Sequence, residues 1–214
     1  MDKPCLESGV EGQDLLSWSG SALVPADGNG QGKIYYTDQS IGLWAAHFGR
    51  ALIEHGWRAA IINRSVAGKP ISYFLPGDMS GHYAEVLMDV QSSKVVPRAL
   101  VWSQGEADGT LMTSQAAYQS MFATLHKNWL HDFPGIDYFV VIKTAAGACG
   151  ADTTTVRAAQ DDFAHTFDDV TIVDVDDLTG DKTYHTGCHY TYAGYKVFAA
   201  RASEKILGCS LSIP

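Results

Sequence analysis

The stretch RALVWSQGEADG, residues 98–109, shows the fold in miniature: four consecutive apolar residues, Ala99 to Trp102, give way abruptly to a polar loop carrying Gly105 and Gly109. A short apolar run ending in a glycine-bearing loop is the pattern of a strand buried on both faces. The same pattern recurs outward from it, as RAAIINRS at 58–65 on one side and as DYFVVIKT at 137–144 and VTIVDV at 170–175 on the other. Between these runs the period changes. LWAAHFGRALIEHGW (43–57) places Leu43, Ala46, Phe48, Leu52 and Ile53 at mixed three- and four-residue spacings, which predicts an amphipathic helix. Further helices are expected at about 80–91, 112–130, 153–165 and 191–207. Apolar strands alternating with helices predict an α/β fold, a parallel sheet covered on both faces. No repeat or linker interrupts the series, so residues 1–214 read as a single domain, alternating over 43–207. Residues 1–42 are irregular, with short strands at most at LLSW and KIYY.

Composition narrows the function. With 214 residues, 46% apolar and 18% charged, the chain can bury a substantial core, and disordered and coiled-coil classes are excluded. Lys and Arg number 15 against 24 Asp and Glu, a formal charge of −9, so a phosphate backbone is repelled on average and nucleic acid is not an expected partner. No apolar run approaches the roughly 18–20 residues that cross a bilayer, so no membrane partner is expected. The opening MDKPCLESGVEGQ has neither the basic head nor the apolar segment of an export signal. An extracellular or periplasmic location is therefore expected only if a further segment precedes Met1. The cysteines, Cys5, Cys149, Cys188 and Cys209, lack C-x-x-C spacing, so metal binding through cysteine is not expected; no cofactor is expected. Two disulfides or free thiols are equally compatible with an even count.

In doubly wound sheets the ligand sits beyond the carboxyl ends of the strands. The loops there are NRSVAGKPISYFLPG (63–77), SQGEADG (103–109), KTAAGACGADTTT (143–155) and DVDDLTGDKTYHTGCHYTYAGY (174–195). In the second, the Gln104 amide can donate to a developing oxyanion while Glu106 and Asp108 brace the loop; alternatively Asp108 only caps the next helix. In the fourth, His189 can take a proton from a hydroxyl and return it to a leaving group, or be a surface residue. His185, His82 and His165 have no partner in their sequence neighbourhoods. The aromatic side chains of Tyr73, Phe74, Tyr190 and Tyr192 suit either stacking on a sugar ring or packing beneath the loops.

Taken together these blocks carry a resemblance. WSQGEAD (102–108) resembles the W-x-Q-G-E-x-D block of the sialate O-acetylesterase and acetylxylan esterase branch of the SGNH (GDSL-like) hydrolases, carbohydrate esterase family six. GCHYTYAGY (187–195) is similar to the family's D-G-x-H-x-T-x-x-G-Y, and SVAGKPISYFLPG (65–77) to its A-x-G-G-x-x-I-x-x-W-x-P-G. The resemblance implies a three-layer α/β/α sandwich with a flavodoxin-like, mostly parallel sheet of order 2-1-3-4-5. It implies removal of acetyl groups from sugar hydroxyls through an acyl-serine, with an acetylated carbohydrate as partner and no metal. His189 would be the general base, Gly68 a backbone N–H donor to the oxyanion, Gln104 the side-chain donor in the same hole, and Glu106 the residue holding that loop or the base. Tyr73 and Tyr190 would contact the sugar.

The chain departs from this pattern twice. The family's G-Q-S-N-M nucleophile block is absent, and ESGVEGQDLLSWSGSALVPA (7–26) looks like the segment that comes after it, so the catalytic serine is expected upstream of Met1. Thr186 occupies the position of the triad acid, leaving Asp181 or Glu106 as substitutes. Strand 1 of such a sheet is internal, and its loss would hold its neighbours about 9–10 Å apart. LLSW, KIYY or a second chain is then expected in the gap, or an altered strand order. Ser65 and Ser103 end strands but lack a G-x-S-x-G elbow, and read as loop serines. The alternative to an esterase is a carbohydrate-binding or structural domain that has lost catalysis. Cys149 and Cys188 fall in neighbouring strand-end loops, where a bridge would tie down the His189 loop.

Overall fold

The computed structural model describes residues 15–26 and 43–208; KIYY, Cys5 and Cys209 lie outside them. The chain forms two compact units, Met1–Val66 with Tyr190–Pro214, and Ala67–His189, so that it passes from one to the other twice.

In the first unit β1 (Leu16–Trp18) pairs antiparallel with β2 (Leu23–Pro25) and parallel with β3 (Ala60–Ile61). LLSW is therefore the segment that takes a place beside the RAAIIN strand. Only two residues of that strand join the ladder. Helices α1 (Leu43–Glu54) and α7 (Tyr192–Leu207) pack on each other, with Trp44 edge-on to Phe198 at 5.2 Å between ring centroids. Leu15, Ala45, Ala46 and Ile53 form the buried cluster beneath them. Thr191 caps α7, its hydroxyl accepting from the Gly194 N–H at 3.2 Å, which fixes where the helix begins.

In the second unit β4 (Ala99–Ser103), β5 (Tyr138–Ile142) and β6 (Val170–Val173) form a parallel sheet in that order. Helix α2 (His82–Ser93) precedes β4, and the short α3 (Glu106–Thr110) follows it. Helix α4 (Gln115–Asp132) connects β4 to β5 and α5 (Thr154–Thr166) connects β5 to β6. Right-handed crossovers between successive neighbours put both helices on one face of the sheet, and they do pack together. The seam is aromatic: Phe122 of α4 and Phe163 of α5 stack at 3.8 Å between centroids, and both are fully buried with Phe139 of β5. Ser114 caps α4 by accepting from the Ala117 N–H, so the helix starts at Gln115, and Pro134 follows its last turn. 3₁₀ turns at Ile71–Phe74 and Ala148–Gly150 and the short α6 (Asp176–Thr179) complete the unit. The expected helices and strands fall within a few residues of their observed bounds; α3 and α6 carry too few residues to show a period.

Candidate active site

Gly68, Gln104, Glu106 and His189 all belong to the second unit, three of them on the loops that follow Val66 and β4 and the fourth just before α7. Gly68 is exposed with φ +67°, and a side chain there would meet nothing within 4 Å, so its glycine is required by backbone conformation and not by crowding. Among the described residues its N–H makes no hydrogen bond. It is an open donor.

Gln104, only 8% exposed, is held on every side. Its Nε2 donates to the Lys69 carbonyl at 3.0 Å and to Asp108 Oδ2 at 2.6 Å, while the Tyr118 hydroxyl lies 3.0 Å from both its Oε1 and its backbone oxygen. Both neighbours are oxygen acceptors, so the amide orientation is fixed by chemistry and both of its N–H groups are engaged. Burial pushes the Tyr118 hydroxyl up, keeping it protonated and a donor. The Gln104 carbonyl also accepts from Thr144 Oγ1 at 3.1 Å and Gln160 Nε2 at 3.0 Å. Gly105 follows with no room for a side chain: a Cβ would collide with Thr144 and Val156 of the next strand-end loop and helix.

Glu106 opens α3 and is half-buried. Burial pushes its carboxyl above the ordinary carboxylate range; its own N–H, that of Gly105 and the charge of His189 pull it back, and the charge of Asp108 adds to the rise. His189 and Glu106 therefore lie within electrostatic reach of one another. Thr186 does not act on the imidazole. Its N–H and its hydroxyl both donate to the His189 carbonyl at 2.8 Å, so it clamps the main chain of the base.

His189 itself is exposed and sits next to Cys188, which is bridged to Cys149 with the Cα atoms 4.1 Å apart. The Cys149 N–H also donates to the Gly187 carbonyl at 2.8 Å, a second stitch between the two loops. His185 is buried behind it, its Nδ1 accepting from the Gly187 N–H at 3.0 Å. Burial, with the charge of His189, holds its pKa below the usual histidine value.

Tyr73 is half-buried, its ring tilted against that of His82 at 5.2 Å between centroids, with the Lys69 ammonium 5.0 Å from its ring centroid. Phe74 is buried edge-on to Trp102. Tyr190 belongs to the first unit, half-buried against Tyr195 and Phe198. Ser65 gives its hydroxyl proton to Asn63 Oδ1 at 2.6 Å, and Ser103 is exposed at the end of β4. Among the described residues no group of three His, Cys, Asp or Glu side chains is placed to hold a metal, and no helix is long and apolar enough to cross a membrane.

A family model described as carbohydrate esterase, sialic acid-specific acetylesterase, matches residues 31–207. The chain belongs to this carbohydrate esterase family. A similar solved structure is the X-ray structure of a protein from Arabidopsis thaliana, 17% identical, with a TM-score of 0.72 over 94% of this chain and 81% of the other. At that identity the likeness establishes the fold, an α/β/α sandwich. No curated protein matches the sequence.

Beyond the roles that the esterase family pattern carries, the geometry gives parts to groups whose part the sequence does not mark. Sequence alone makes Asp108 a brace or a cap, yet it is 1% exposed and bonded to three separate segments. Tyr118 lies inside a helix whose period marks it only as core. His185 has its partner two residues away, in a backbone N–H that sequence does not display.

Proposed function

We propose that this esterase-family domain removes acetyl groups from sugar hydroxyls, with residues 1–214 acting as one domain. What supports the reading is a Gly68 N–H that makes no hydrogen bond among the described residues, beside the Gln104 amide held to the Lys69 carbonyl, with the charge of His189 reaching Glu106 in the same unit. His189 accepts the proton of the attacking hydroxyl and returns it to the leaving sugar oxygen. Glu106 takes the part of the triad acid, favouring the imidazolium that forms; Thr186 fixes the main chain instead. Gly68 donates to the oxyanion, and Gln104 joins it by exchanging its 3.0 Å bond to the Lys69 carbonyl for one to the developing charge. Lys69 and Tyr73 border the Gly68 loop and offer a cation and a ring to the sugar.

The reaction passes through an acyl-serine. Ser65, whose proton is committed to Asn63, is not the nucleophile in this reading. The Cys149–Cys188 bridge accords with an oxidising compartment. The test is acetate release from O-acetylated sugars and acetylxylan, together with fluorophosphonate labelling: turnover lost in His189→Ala and a serine adduct mapped by mass spectrometry support the reading. The second reading, a sugar-binding domain without catalysis, is favoured by Thr186 standing where the acid is expected. Saturable sugar binding with neither acetate release nor an adduct would establish it.

A further inference from the structure

We infer that Asp108 is a positioning residue whose buried carboxylate ties the oxyanion loop, Gly68 to Ile71, to the end of β4. The inference rests on the acetylesterase reading above. At 1% exposed, Asp108 cannot touch substrate. Among the described residues no cation pairs with it; its charge is held by hydrogen bonds alone. Oδ2 accepts from the Ile71 N–H at 2.7 Å and from Gln104 Nε2 at 2.6 Å, and Oδ1 from the Thr113 hydroxyl at 2.9 Å. A carboxylate taken out of water is tolerated when donors surround it, and such bonds are stronger than neutral ones.

What the donors belong to gives the residue its role. Ile71 lies 37 residues before Asp108 in the chain, three beyond Gly68. Gln104, itself gripped by Asp108, holds the Lys69 carbonyl. The segment between is thus pinned at the carbonyl of residue 69 and the N–H of residue 71, and Pro70, with φ −71°, stiffens the link. Two side chains from one strand end fix both peptides flanking Pro70. They thereby anchor the segment that begins at Gly68, whose own N–H makes no hydrogen bond among the described residues. When Gln104 turns from the Lys69 carbonyl to the developing charge, the bond from the Ile71 N–H to Asp108 remains and keeps the loop in place. If Asp108 only secured the turn into α4, through Thr113, the two bonds on Oδ2 would have no purpose.

The experiment pairs Asp108→Ala with Asp108→Asn, following steady-state kinetics on an acetyl ester and hydrogen exchange of the Ile71 amide. Asp108→Ala should lower kcat at least tenfold with KM within twofold, and Ile71 should lose at least tenfold in protection. In Asp108→Asn the amide oxygen can still accept from Ile71 and Gln104, while its NH₂ meets a Thr113 hydroxyl turned to accept. Protection and kcat should return to within threefold of wild type. Because a negative neighbour of Glu106 is gone, the acid limb of the pH profile should move to lower pH, with His189 the remaining charge on Glu106. Unchanged Ile71 protection in Asp108→Ala would overturn the tether. If Asp108→Ala does not fold, Asp108→Asn decides: a tenfold loss of kcat with Ile71 still protected would make the charge, not the positioning, the working part. A wild type that hydrolyses no acetyl ester removes the acetylesterase reading, while the exchange of Ile71 still reads the tether separately.

Discussion

The two halves of the candidate site are held in place by opposite means. The loop after β4 is locked by buried hydrogen bonds: Gln104, Asp108, Tyr118, Thr144 and Gln160 form one connected network in which every bond but the four-residue one from Gln104 to Asp108 crosses 14 to 56 residues of sequence. The loop carrying His189 is exposed, and its internal bonds span only two to four residues, as in Asp181 to Thr183 and Thr186 to His189. The Cys149–Cys188 bridge and the Cys149 N–H beside it tie it to the loop after β5. The difference suits the two tasks. An oxyanion donor gains from being fixed in a dry site, whereas a base must exchange protons with water and keep its ring accessible.

Breaking each half should therefore look different. The largest effect is expected for His189→Ala, a kcat loss of about 10²–10⁴-fold with the fold intact, since an exposed ring carries little packing; acetate release and thermal melting check both parts. Gln104→Ala should cost about 10²-fold in kcat, and because the variant also opens the buried network it should lower Tm, a coupling that His189→Ala does not show. Reducing the disulfide sharpens the comparison. It closes a loop of 39 residues, worth about 4 kcal/mol in the chain-entropy account, so dithiothreitol should lower Tm and speed proteolysis near residue 188 while leaving Ile71 exchange unchanged. Loss of Ile71 protection on reduction would show that the halves are not independent.

The smallest effects concern pH. Glu106 must be ionised to favour the imidazolium, and its folded pKa is raised by burial, so activity should fall as pH drops through a value above the ordinary carboxylate range. The stability consequence has the opposite sign to that of a salt-bridged acid. A raised folded pKa means that the charged form is disfavoured on folding, so this group costs stability above its folded pKa and the cost is relieved as pH falls through it. Glu106→Gln should accordingly show a small rise in Tm at neutral pH together with slower turnover. An unchanged acid limb in that variant would separate Glu106 from the base.

The strands and most helices are legible in the sequence because their signals are local. Four apolar residues in β4 and the mixed three- and four-residue spacing in α1 can be read without knowing what lies opposite. The site is legible only where family blocks carry it, at Gly68, Gln104, Glu106 and His189. The role of Asp108 is not, because its meaning lies in Ile71, 37 residues away, whose contribution is a backbone N–H common to almost every residue. The Cys149–Cys188 pairing can be raised from the order of the loops but not settled, since four cysteines allow three connectivities. Thr186 changes its sense in the structure: a poor triad acid by composition, it is a clamp on the main chain of His189.

The measurement that bears most directly on the central claim is acetate release from an O-acetylated sugar, followed by proton NMR for the wild type and His189→Ala under identical conditions. The account predicts release well above the buffer rate in the wild type and none beyond it in the variant. Equal release by both, or none by either, would contradict it.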